Sequence, residues 1–308
     1  PQLQYMYLDI KKNINLFNTK IIILCVAFTM NCRGMYAQHY QAESVVYNAV
    51  LGGISACMGA IINKKKEQKW QDLFVKNFAI GAGGGLLMFT GKKINTLIAH
   101  ENNIGYGWLS RSVFSAGVSI IENAASGRKF WSVWHYDIGF VRLEYDCEER
   151  HFQPKVMPSS LIATLFLAAN GSLDVKTTMS SGTLTFRTRR ISYQPKLVGS
   201  TVTNAFLLSD TLTKGRVFYD TYAHEMIHSF QFSEFSGVNH FFKPFIKKWE
   251  TNSPTFKKAH RWVYGDLNHE MMLLNYFVIQ GGARRNYCKN FLENEAEFLT
   301  VGRGACDQ

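Results

Sequence analysis

A chain of 308 residues, 46% hydrophobic and 19% charged, has enough apolar side chain to bury a sizeable core, which excludes a disordered chain. Its formal charge is +11, and +8 remains when the N-terminal segment with Lys11, Lys12, Lys20, Arg33 and Asp9 is set aside. Basic residues are scattered and no nucleic-acid module is visible, so an anionic membrane surface is an expected partner and nucleic acid is not.

Lys11, Lys12 and Lys20 precede the short apolar run from Ile21 to Phe28, which fits the core of a secretory signal peptide over residues 1–37, cleaved after Ala37. An uncleaved anchor is the alternative. Cleavage predicts an exported protein that is periplasmic, outer-membrane-associated or secreted. It leaves Cys57, Cys147, Cys288 and Cys306, an even count that permits disulfides; a Cys288–Cys306 bridge would bracket the C-terminal segment, and ordinary buried thiols are the alternative.

Residues 38–129 read as a helical region rich in small residues. Val45–Ile62 and Val75–Gly91 carry glycine or alanine every fourth position (Gly52, Ala56, Ala60; Gly81, Gly85), which favours close helix packing, with Lys64-Lys65-Lys66 at the tip of a hairpin. Packing or peripheral membrane contact is expected ahead of a true span, since Gly83, Gly84 and Gly85 weaken a helix. Leu109–Ala125 is a third helix.

Residues 130–212 are richer in aromatic and β-branched residues and predict antiparallel strands: Phe130–Tyr145, Leu161–Ala168, Leu173–Arg189 folded at Ser180-Ser181-Gly182, and Val198–Leu208. Ala205–Leu208 or Arg216–Tyr219 is a candidate sheet edge for an extended peptide, or else both are interior strands. Residues 213–308 turn helical, so the expected fold class is α+β.

In that last region Tyr222-Ala223-His224-Glu225-Met226-Ile227-His228 contains H-E-x-x-H. On a helix the spacing of four brings His224 and His228 to one face, near enough to share a metal ion, while Glu225 stands beside it. Ala223, Met226, Ile227 and Phe230 form a separate core face, and Asp220 or Thr221 would cap the helix start. The plainer reading is a buried helix whose histidines only hydrogen-bond.

A catalytic zinc needs a third protein ligand. Glu234 stands where a metzincin has its third histidine, which excludes that family on pattern. On the later helix Phe291–Leu299, Glu295 falls within the apolar face while Glu293 and Glu297 point away, and a carboxylate there needs a cation. Glu295 is therefore the expected third ligand. Glu270, on the apolar Leu267–Ile279 helix, is its competitor.

Ala223-His224-Glu225-Met226-Ile227-His228, followed by Glu293-Asn294-Glu295-Ala296-Glu297, resembles the zinc core of gluzincin-type metallopeptidases over roughly the last 90 residues. His228-Ser229-Phe230-Gln231 is also similar to small bacterial putative peptidases with His-x-x-Gln at this point. The resemblance implies a Zn2+-dependent peptidase with His224, His228 and Glu295 as ligands, Glu225 as general base and a peptide or protein substrate. Tyr264, Tyr276, His260 or Tyr287 is the candidate oxyanion donor. The alternatives are a non-catalytic envelope protein with a structural or vestigial metal site, and a zinc hydrolase of another amide such as a cell-wall peptide.

Overall fold

The computed structural model describes residues 40–189, 198–212, 215–281 and 287–302. Small side chains set its first feature, in which helices α1 (Tyr40–Ile62), α2 (Trp70–His100) and α3 (Tyr106–Ala125) pack almost backbone to backbone. A side chain at Gly52 or Gly81 would collide with the carbonyl oxygen of the other, and a Cβ on Gly84 would lie 2.8 Å from the Gly117 oxygen. Contacts on both sides thus carry α2 through the three glycines that weaken it locally. Gly81→Val is expected to cost about 2–3 kcal/mol through overpacking, read as a lowered denaturation midpoint with the same slope.

By length and composition Gln41–Ile62 and Trp70–His100 are each apolar enough to cross a bilayer; 61% of the most apolar window of the first and 33% of the second lie inside the protein.

The region read as β-rich holds two sheets. Strands β1 (Val133–Ile138), β2 (Val141–Asp146) and β3 (His151–Val156) form an antiparallel meander, so the single predicted strand Phe130–Tyr145 is two strands turning at Gly139. Arg142 of β2 ties this sheet to α3 through a buried ion pair with Glu122, and its guanidinium lies 3.7 Å from the Tyr264 ring centre.

The second sheet has the order β4 (Ser172–Leu173), β5 (Leu184–Thr188), β7 (Ala205–Ser209), β6 (Gly199–Val202), and β5 pairs parallel with β7. It is mixed rather than antiparallel. Ala205–Leu208 lies inside it, and among the described residues β4 and β6 are its edges.

Two predicted strand segments are helical. Leu161–Ala168 belongs to α4 (Pro158–Asn170), which starts with proline at a first-turn position and has its Ser159 and Ser160 N–H groups bound by Asp266. Its buried positions Ser160, Ala163, Thr164 and Leu167 follow helical spacing, a period that a short apolar run hides. Likewise Ser180-Ser181-Gly182 ends a helix, α5 (Val175–Ser181), capped at its start by Asp174 and closed by Gly182 at φ 75°, and is no hairpin turn.

The remaining helices are α6 (Arg216–Ser233), α7 (Lys243–Asn252), α8 (Pro254–His260), α9 (Asn268–Leu274, extended by a wide turn over Asn275–Ile279) and α10 (Phe291–Val301). Arg216–Tyr219, the other candidate edge, is the first turn of α6, which begins after Gly215 without a side-chain cap from Asp220 or Thr221. The main core joins all regions: Ala56, Met88, Ile98, Phe114 and Ile121 of the first three helices meet Phe206 and Leu208 of β7, Tyr222, Met226 and Phe230 of α6, and Ala296 and Leu299 of α10. Cys57 and Cys147 are free thiols. The Cys288–Cys306 bridge and the leader involve side chains outside the described residues.

Candidate metal centre

Helix α6 buries Phe218, Tyr222, Ala223, Met226, Ile227 and Phe230, spaced three and four apart, and this turns His224 and His228 toward α10. Helix α10 is fixed in turn by Asn290, whose side chain accepts from the Leu292 N–H at its start, by buried Leu292, Ala296 and Leu299, and by Gly302, left-handed at its end. Glu293 and Glu297, one turn apart, both reach His224.

His224 Nε2 and His228 Nε2 lie 3.0 Å apart, and Glu293 Oε2 is 3.5 Å from the first and 3.3 Å from the second. A tetrahedral ion with bonds of about 2.1 Å keeps its ligand atoms about 3.4 Å apart, so this trio has the spacing a zinc-sized ion needs. His224, His228 and Glu293 are the metal-competent group among the described residues, and their donor set suits zinc without identifying it. Both imidazoles are partly buried, at 16% and 12% side-chain exposure.

The other ring nitrogens are held as well. His224 Nδ1 is 3.3 Å from Glu297 Oε2, and His228 Nδ1 is 2.8 Å from Gln231 Oε1. Each acceptor places a proton on Nδ1 and leaves Nε2 to the shared centre. Tyr276 donates to Glu293 Oε1 at 2.5 Å, fixing the carboxylate that faces the rings. Glu225, on the same helix, is buried and accepts from Thr201 Oγ1 of β6 at 2.7 Å.

Glu295, the expected third ligand, is not in this trio. Both its oxygens accept from Lys92 Nζ at 2.8 Å, and Asn48 and Gln231 also donate to it. The requirement for a cation on the apolar face is met by a lysine from α2. Glu293, placed on the far side by the helical wheel, is the carboxylate at the histidines, because α6 crosses α10 along its Glu293–Glu297 edge. Glu270 is exposed and accepts from Ser159. Of the four oxyanion candidates, His260 pairs with Glu250 and Tyr264 donates to Glu122, while Tyr276 and Tyr287 adjoin the trio. Burial and the charges of Glu293, Glu297 and Glu225 push the Tyr287 phenol up and keep it a donor.

Burial opposes protonation of His224, but its bonds to Glu293 and Glu297 and the charge of Glu225 outweigh that and carry its pKa up to about 10. His228 is also raised, against the effect of burial, chiefly by Glu293; Glu293 itself is held far below the usual carboxylate range, since the two histidines outweigh its burial. The metal-free trio therefore stores protons that an ion must displace. Zinc affinity is expected to rise between pH 6 and 9, by about tenfold per pH unit for each proton released, which titration in buffers of different ionisation enthalpy measures. A pH-independent affinity would contradict this.

Comparison with protein-family models, with curated proteins and with solved structures finds no match for this chain. Sequence reading set Glu293 and Glu297 aside and missed Thr201 and Lys92; the last was visible as a lysine inside an apolar helix.

Proposed function

We propose that the protein is a zinc-dependent peptidase, exported from the cell by its N-terminal leader and acting on peptide bonds in a peptide or protein substrate. The observation that carries this reading is the approach of His224 Nε2, His228 Nε2 and Glu293 Oε2 to within 3.0–3.5 Å, with Glu225 next to His224 in the chain. A purely structural site has no use for an acid held at that position.

His224, His228 and Glu293 would hold the ion. When bound, it supplies Lewis acidity toward a substrate carbonyl and a water molecule. Glu225, steadied by Thr201, accepts the proton of the attacking water and passes it to the leaving amine. Tyr287 donates to the carbonyl oxygen as it gains charge. Among the described residues β6 is paired on one side only, and its Thr201 touches Glu225, so an extended peptide added along β6 would pass the acid.

The test is direct. Purified protein should contain about one zinc per chain and cleave an unstructured polypeptide. Chelation should stop cleavage and added zinc should restore it. Absence of bound metal at neutral pH, or cleavage indifferent to chelators, would remove the peptidase reading.

A further inference from the structure

Lys92 is fully buried on α2, in a helix of small and apolar residues, with two carboxylates, Glu234 and Glu295, on its ammonium. Burying a lysine together with two carboxyl groups is expensive, and a well-packed apolar residue usually serves stability as well or better. The arrangement has a directional consequence. Glu295 Oε2 accepts from Gln231 Nε2 at 2.9 Å, the Leu292 carbonyl accepts from the same nitrogen at 2.9 Å, and Gln231 Oε1 is 2.8 Å from His228 Nδ1. Hydrogen bonds thus connect a lysine of the small-residue helices to a histidine of the metal centre.

We propose that Lys92 is a positioning residue for the metal centre: by fixing the Glu295 carboxylate in place, it sets the direction of the Gln231 amide and thereby the ring nitrogen that His228 offers to the ion. The inference rests on the metal reading above. Its physical basis is the asymmetry of an amide. Two acceptors at one end of Gln231 require the NH2 group there, so the end facing His228 must be the carbonyl oxygen. A carbonyl can only accept, hence His228 Nδ1 carries the proton and Nε2 keeps its lone pair toward His224 and Glu293. Without the Lys92 ammonium on both its oxygens, Glu295 would no longer be held against the Gln231 NH2 group. The amide could then turn over, present NH2 to Nδ1 and favour the tautomer whose Nε2 is blocked. His224 is outside this relay, because its Nδ1 faces Glu297.

The experiment uses the full chain, stripped of metal, with zinc affinity measured against a chromophoric chelator and the imidazole tautomers read from 15N shifts in the metal-free protein at a pH high enough to leave both rings neutral. Lys92→Met and Gln231→Leu should each weaken zinc binding by about 10–100-fold, as loss of an outer partner does. Each should shift His228, and not His224, toward the tautomer protonated at Nε2. The double variant should bind zinc no more weakly than the worse single one, since both act through one chain of contacts. Lys92→Met/Glu295→Gln should recover the wild-type affinity, because the amide introduced by Glu295→Gln keeps an oxygen that can accept from Gln231 while its NH2 meets the unpartnered Asn48 oxygen or Glu234. That neutral pair and Gln231→Leu carry the test if Lys92→Met alone does not fold. Unchanged affinity and tautomer in Gln231→Leu, or additive losses in the double variant, would overturn the assignment. Failure of the wild-type chain to bind zinc would instead sink the metal reading.

Discussion

Glu225→Gln is expected to lower turnover by about 10^2–10^4-fold while leaving the zinc content at the wild-type level. The amide keeps the shape of the side chain and can still accept from Thr201 Oγ1, so the contact between α6 and β6 survives. What it cannot do is take a proton from water. The three atoms that could hold a metal belong to His224, His228 and Glu293, none of which is altered. Metal analysis and a steady-state assay on the same preparation separate the two effects, and near-normal turnover in this variant would remove Glu225 from the proposed chemistry.

Replacing two of the three acids of α10, Glu293 and Glu295, one at a time produces the second large contrast. Glu293→Gln should lose more than about 100-fold in zinc affinity, beyond what outer partners account for, because it removes the carboxylate that, among the described residues, lies against both Nε2 atoms. Glu295→Gln should keep more of the affinity than Glu293→Gln does, since its partners are Lys92, Asn48 and Gln231 rather than the imidazole Nε2 atoms. Equilibrium binding of zinc to both variants decides between the two glutamates. The reverse order of affinities would return the third position to Glu295.

The helix that pairs His224 with His228 was readable because its spacing of four is a property of the helix itself, and the core stripe from Ala223 to Phe230 repeats that period. The choice between Glu293 and Glu295 was not readable. A helical wheel reports which residues share a face but not which neighbour covers it, and α10 is covered on two sides, by α6 at Glu293 and Glu297 and by Lys92 of α2 at Glu295. The same limit explains α4 and α5. Leu161–Ala168 has the composition of a strand, and what makes it a helix is a distant residue, Asp266, at its first turn. The small-residue helices α1 to α3 were legible because glycine at every fourth position has few other uses in an apolar helix.

The core joining α1–α3 to α6 and α10 bears on how the molecule can be divided. A fragment beginning near residue 213 would contain every proposed ligand and the proposed base. Yet it would leave Glu295 without Lys92 and bare the flank of Phe230 that stacks on Phe114 at 4.4 Å between ring centres. Expressed alone, such a piece should aggregate, and co-expression with a separate chain spanning residues 40–212 should rescue it by reassembly.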